Sequence, residues 1–183
     1  MNKALFENTV LAILTAQPGL GSIQVRKALC IADAVHNSLY GKSITGAKYI
    51  KEKFGPVPDN EAYRYFLDMS ITDKITNDET YAGYGTINHF YANGDPDYTL
   101  FTPDQLNIIS YAAKTARDYQ AFELAQRTHD NIYDRTPMRG EIPLSEICKP
   151  AMCEMDTKPF TADEREDIMR FFVNDANSIL QPS

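Results

Sequence analysis

Gly55-Pro56-Val57-Pro58 constrains this chain more than any other stretch of it. Each proline fixes its own φ and lacks a backbone N–H. Each also drives the residue before it, Gly55 and Val57, out of the α region. Four consecutive residues are therefore held extended and cannot join a helix. The segment carries no reactive side chain, so its expected role is a fixed corner that positions its neighbours. We expect it to pack on an inner helix near Leu39 and Tyr40.

Most of the remaining chain reads as helix. In residues 3–17, Phe6, Val10, Ile13 and Leu14 recur at helical spacing, and Leu5 and Leu11 widen the stripe. Pro18-Gly19-Leu20-Gly21 interrupts it, and Ser22 is placed to cap a second helix over 23–40. Val25, Ala28, Leu29, Ile31, Ala32, Val35 and Leu39 make that helix apolar on most sides, as expected of one that runs through a core. Gly41 ends it. Residues 45–54 fit helix or strand, and Ala47, Ile50 and Phe54 favour a short helix. After the corner, Asp59 or Asn60 can cap a helix through Met69 that buries Tyr63, Phe66 and Leu67.

Residues 71–93 set Ile71, Ile75, Tyr81, Tyr84, Ile87, Phe90 and Tyr91 among Thr, Asn and Gly, which predicts a β-hairpin closed by Asn93-Gly94-Asp95-Pro96. Thr102-Pro103-Asp104-Gln105 is a capping box, with Phe101 and Leu106 placed for the hydrophobic staple. The helix it opens runs to about Arg117, burying Leu106, Ile109 and Ala113. A further helix covers 120–129. Residues 130–160 read as irregular, with one short helix after Ser145. Thr161-Ala162-Asp163-Glu164 is a second capping box. It opens an amphipathic C-terminal helix over 161–180, with Ile168, Phe172, Val173, Ile179 and Leu180 in its stripe. The expected fold is mainly α with a small antiparallel β-hairpin, an α+β chain forming one compact helical domain over 1–183. The first two helices, a third short helix and the hairpin can compose a winged-helix-like unit.

A net charge of −7 argues against a general grip on nucleic acid, because phosphate-backbone binders show a basic face. Lys42, Lys48, Lys51 and Lys53 form one candidate for a local basic patch, against the favoured reading of a solvated face with scattered lysines. Cys30, Cys148 and Cys153 match no zinc spacing and no disulfide framework, which points to a reducing cytoplasm. No run is long and apolar enough to span a bilayer. No nucleotide-binding loop, nucleophile elbow or paired metal-binding histidines occur, so no cofactor, metal or catalytic residue is expected. His36, His89 and His129 are scattered; His36 is expected to be a satisfied core or boundary residue, and His129 to cap or brace a helix end. The chain has eleven tyrosines and no tryptophan. Tyr81, Tyr84, Phe90 and Tyr91 crowd the hairpin, where they can anchor a partner as well as cover a core face.

These motifs together resemble a known family. Lys27-Ala28-Leu29-Cys30-Ile31-Ala32-Asp33, Tyr40-Gly41, Ile44-Thr45-Gly46 and Gly55-Pro56-Val57-Pro58 are similar to the Panacea domain of SocA-like antitoxins, which are often phage-associated. Leu124-Ala125 to Thr128-His129, followed by Ile142-Pro143-Leu144, resembles the family's second signature, so the similarity covers about 3–147. The family carries an aromatic residue, commonly tryptophan, shortly after the histidine, and Tyr133 stands in that neighbourhood. The helix from Thr161 belongs to no signature. The resemblance implies a non-enzymatic, cytoplasmic protein that neutralises a cognate protein toxin in a toxin–antitoxin system, by direct contact or as an adaptor delivering the toxin to a protease. Tyr40, Gly41, Gly46, Gly55, Pro56, Pro58 and His129 would be its structural motif residues. Tyr81, Tyr84, Phe90 and Tyr91 are our candidate toxin contacts. The alternative is a DNA-binding regulator using the winged-helix-like unit. A hydrolase built on His129 ranks last.

Overall fold

The computed structural model describes residues 1–53, 55–81, 86–118 and 131–151. The expected helices at 120–129 and 161–180, and with them Tyr84 and His129, lie outside the described residues. Six α-helices are described: α1 (Lys3–Ala16), α2 (Ser22–Tyr40), α3 (Asn60–Ile71), α4 (Pro103–Asp118), α5 (Asn131–Arg135) and α6 (Leu144–Ala151). Five strands, β1 (Leu20–Gly21), β2 (Tyr49–Glu52), β3 (Gly55–Pro58), β4 (Ile75–Tyr81) and β5 (Thr86–Ala92), form two small antiparallel sheets ordered β1-β5-β4 and β2-β3. Among the described residues, no helix is long and apolar enough to cross a membrane.

α2 is the inner helix. Val25, Ala28, Leu29, Cys30, Ala32, Ala34, Val35 and Leu39 are all buried, and they share one core with Phe6, Val10 and Ile13 of α1 and Ile108, Ile109 and Ala112 of α4. The helix starts one residue earlier than expected. Gly21 is its N-cap, and Gln24 Oε1 accepts from the Gly21 N–H at 3.0 Å. The Gln24 amide also donates to Ala116 O at 2.8 Å, which ties the start of α2 to the end of α4. The capping box at α4 closes both ways: the Thr102 N–H donates to Gln105 Oε1 at 2.9 Å, and the Gln105 N–H to Thr102 Oγ1 at 3.3 Å.

Residues 45–54 do not form the expected helix. Tyr49–Glu52 is a strand, with Tyr49 opposite Pro58 and Ile50 opposite Val57. Its other edge is paired as well: the Lys51 N–H donates to Gly140 O, the Arg139 N–H to Lys51 O and the Ile142 N–H to Tyr49 O, all at 2.8–2.9 Å. β2 is therefore central, with both rows of backbone groups satisfied, and this pairing outweighs the weak helical spacing of its side chains. α3 begins at the Asp59 cap as expected, with Asp59 Oδ1 accepting from the Ala62 N–H at 3.0 Å. Phe66 is buried, but Tyr63 is half-buried and Leu67 is exposed.

The order α1-β1-α2-α3-β4-β5, with sheet order β1-β5-β4, is that of a winged helix, interrupted between α2 and α3 by the β2–β3 hairpin. The hairpin β4–β5 stands in the wing position, and most of it is exposed. Strand alternation puts Ile75, Asn77, Phe90 and Ala92 on one face and Thr76, Asp78, His89 and Tyr91 on the other. At the base of the first face Ile75 and Phe90 are buried, with Phe90 edge-on to Phe66 at 4.9 Å between ring centres. Phe90→Ala should therefore lower the unfolding free energy by about 3–5 kcal/mol, while Tyr81→Ala should change it by less than about 0.5 kcal/mol. Urea titrations of the two variants followed by circular dichroism check this, and equal effects would contradict the packing.

Candidate functional site

Four polar residues, Lys27, Cys30, Asp33 and His36, recur every third position along α2, and all four are buried. A three-residue step falls short of a full helical turn, so this row drifts around the helix and meets a different neighbour at each position. Asp33 is 0% exposed. Its Oδ1 accepts from the Ile44 and Thr45 N–H groups, both at 2.8 Å. Its Oδ2 accepts from Thr45 Oγ1 and, at 2.8 Å, from the Tyr49 hydroxyl. Four donors fill the acceptor capacity of the carboxylate. Burial pushes the Asp33 carboxyl above the ordinary aspartate range, against the opposing pull of these donors. The same burial and the neighbouring Asp33 push the Tyr49 phenol well above its ordinary value.

The Ile44-Thr45-Gly46 motif is thus the loop that closes over Asp33. Thr45 Oγ1 also accepts from the Ala47 N–H at 3.1 Å, and Thr45 O accepts from the Asn2 N–H at 2.9 Å. Gly46 has φ +69°, and a Cβ there would lie 3.6 Å from Asn2 N, where the start of the chain crosses. Tyr40-Gly41 ends α2. The Gly41 N–H donates to Asn37 O at 2.8 Å, and the Tyr40 hydroxyl donates to Asp104 Oδ2 at 2.8 Å, tying α2 to the first turn of α4. Burial beside Asp104 pushes the Tyr40 phenol up to about 12. His36 braces the same end: its Nδ1–H donates to Lys42 O at 2.6 Å, and burial holds its pKa below the ordinary histidine value.

The proline corner is β3, extended and buried throughout, with φ +91° at Gly55. It packs on the opposite half of α2 from the one expected. Lys27 Nζ, 0% exposed, donates to Pro56 O at 2.9 Å, while Leu39 and Tyr40 lie toward the far end of the helix. The Asp59 N–H donates to Lys48 O, so alternation turns the nitrogens of Pro56 and Pro58 away from β2, where no ladder bond is lost. Three of the four lysines read as a patch have separate roles. Lys48 pairs with Glu141 at 3.1 Å, Lys51 lies 4.3 Å over the Tyr133 ring, and Lys42 supplies the carbonyl that His36 binds.

The four aromatic residues read as partner anchors do not form one patch. Phe90 is 4% exposed and belongs to the core, because its strand face packs on α3. Tyr81 is 76% exposed on the same strand face, far out along the hairpin, and Tyr91 is on the opposite face, with its ring against Gly19. Tyr84 and His129 lie outside the described residues. Among the described residues, no group of His, Cys, Asp or Glu is arranged to hold a metal ion. Sequence reading missed the structural work of Lys27 and Asp33. Their presence as charges within the apolar run from Val25 to Val35 was the available signal.

Asp33→Ala leaves four buried donors without their acceptor and should cost about 3–5 kcal/mol. Asp33→Asn, which keeps the shape and one acceptor, should cost distinctly less. Equal urea midpoints for the two variants would contradict the network. Lys27 gives a pH signature. Burial holds its pKa at about 8, against 10.5 for an ordinary lysine. Between these values the unfolded chain binds a proton that the folded chain does not, so the Lys27 contribution makes stability rise with pH across that window. Unfolding free energies measured from pH 7 to 10.5 should show Lys27→Met lacking this rise relative to the wild type.

A family comparison matches residues 25–132 to "Antitoxin SocA-like, Panacea domain". The match takes in Lys27, Asp33, the loop over Asp33 and the proline corner; it stops short of the 3–147 suggested by the motifs. Against curated proteins and against solved structures, the chain has no match. With its signature residues forming the polar scaffold of α2 and more than half of its length matched, the chain belongs to the SocA-like antitoxin family, as a Panacea-domain protein.

Proposed function

We propose that this protein is the antitoxin of a toxin–antitoxin pair and neutralises a cognate protein toxin by direct binding, without catalysing a reaction. The observation that carries the reading is the family match over 25–132. The interior agrees with it. The two buried charges of α2, which would be the first candidates for chemistry, are closed off: Lys27 is bonded to the Pro56 carbonyl, and the Asp33 carboxylate is filled by four donors. Both act on the architecture, which leaves the surface to carry recognition. Tyr81 at the hairpin is our candidate contact, with Tyr84 beside it in sequence and Tyr91 on the other hairpin face. A cytoplasmic setting follows from the same reading, and delivery of the toxin to a protease is a route that the scaffold could equally serve.

DNA binding has the winged-helix element order in its favour. Charge opposes it. The exposed residues of α3 include Glu61 and Asp68 beside Arg64, and β4 exposes Asp78 and Glu79. Repulsion from phosphates works against binding at these positions. A gel-shift titration with the upstream DNA at low salt should show no complex.

Co-expression in a bacterial host tests the main reading. Each reading frame adjacent to the gene is induced with and without this chain. Rescue of growth from one toxic neighbour, with a stable complex on size exclusion, is the expected result. Tyr81→Ala should weaken rescue while leaving the fold intact. Failure of the wild-type chain to protect against any toxic neighbour would overturn the reading.

A further inference from the structure

On the outward side of the proline corner the surface sinks into a cavity of about 320 Å³. Four segments meet there: the start of α2, the β2–β3 hairpin, the first turn of α3 and the turn at Arg139. Ile50, Val57 and Pro58 give it an apolar side, and Arg26, Lys53 and Arg139 bring three cations to its lining. In a chain of net charge −7 this is a local inversion of sign.

Arg26 is half-buried; its direct contacts are with neutral groups, and the Glu52 carboxylate acts on its charge from farther off. The Arg26 Nε–H donates to Ser22 O at 3.1 Å, and its guanidinium lies 5.2 Å from the centre of the Tyr63 ring. Among the described residues, Glu52 is the one carboxylate lining the cavity, and it reaches Arg139 Nε at 3.6 Å. Among the described residues no carboxylate forms an ion pair with Arg26, and Glu52 acts on it only at longer range. A partly desolvated guanidinium therefore gains from an anion that enters, because its hydration has already been reduced.

We propose that this cavity binds a carboxylate on a short, partly apolar polypeptide segment, with Arg26 and Arg139 as the recognition groups. The volume lies at the small end of ligand pockets and suits one or two side chains. The Tyr63 ring is already covered by Arg26, which argues against a stacked nucleobase. The apolar wall of Ile50, Val57 and Pro58 fits the methylenes and neighbouring residue of an acidic side chain. In naming the partner toxin as the owner of that segment, the inference rests on the antitoxin reading.

The test is an NMR titration of the full chain, labelled with nitrogen-15, using N-acetyl-Leu-Glu-Leu-amide. The same peptide with Gln in place of Glu, free succinate and inorganic phosphate are the comparison probes. Saturable shifts at the start of α2 and across 50–63 are expected for the Glu peptide, with at least tenfold weaker binding of the Gln peptide and of both free anions. The double variant Lys53→Gln, Arg139→Gln, whose side chains are exposed, should weaken the Glu peptide at least tenfold with unchanged Tm. Arg26→Gln should weaken the Glu peptide at least as much, with a modest fall in Tm from the lost contacts to Ser22 and Tyr63. Equal binding of the two peptides, phosphate binding as tightly as the Glu peptide, or no shift with any probe would overturn the proposal. The co-expression assay identifies the owner. Protection by the wild type but not by the double variant assigns the segment to the toxin. Equal protection overturns that assignment. If the wild type itself fails to protect, the antitoxin reading falls, while the titration still decides the cavity.

Discussion

The Asp33 carboxylate, fully buried on the inner helix α2, is the interaction on which the rest of this structure depends. Its four donors come from two consecutive backbone amides, a loop hydroxyl and a strand hydroxyl. Each fixes a different segment. The amides of Ile44 and Thr45 hold the loop after α2, and Tyr49 sets the start of β2. Thr45 in turn holds the beginning of the chain through its carbonyl. Once β2 is placed, the backbone ladder places β3 on one side and residues 139–142 on the other. Charge-assisted hydrogen bonds in a low-dielectric interior are strong and directional, and an unfilled acceptor there would be costly. A single carboxylate therefore specifies the arrangement of several segments that are distant in sequence.

Lys27 performs the matching task at the other half of α2, where it holds the Pro56 carbonyl. The corner can accept this bond because its prolines leave the carbonyls free on the side facing α2 and need no N–H on the side facing away from β2. Neighbouring positions on a helix point about 100° apart, so Lys27 turns into the core while Arg26 reaches the outward cavity. The same turn of helix thus anchors the corner and supplies a charge at the surface. This division suits a recognition protein. The interior polar groups are committed to holding the frame, and the residues able to meet another molecule lie on the frame's outer side.

Much of the framework could be read along the chain, because those signals are local. The capping box Thr102 to Gln105 closes with both of its bonds, the apolar residues of α2 are buried, and the proline corner is extended. Residues 45–54 misled because their helical spacing is weak and their strand state comes from partners on both sides, one of them nearly ninety positions away. Phe90 and Tyr91 show the same limit within two residues. Alternation requires them to face opposite ways, but Phe66 of α3 decides which of the two faces the core. The order of elements that matches a winged helix could be proposed from sequence, whereas its sheet order could not.

By itself, the sequence determined the helical frame, the stiff corner and the family, since capping, periodicity, fixed proline φ and ordered motifs are all properties of neighbouring residues. Tertiary structure alone decided what the signature residues do. Nothing local says that Asp33 binds the loop eleven and twelve residues later, that Lys27 binds the corner, or that Arg26, Lys53 and Arg139 meet around one cavity. Those assignments depend on which distant backbone groups folding brings within hydrogen-bond reach of a buried charge. That is settled by packing the whole core at once, because a charge buried there must find its partners wherever the packed chain places them.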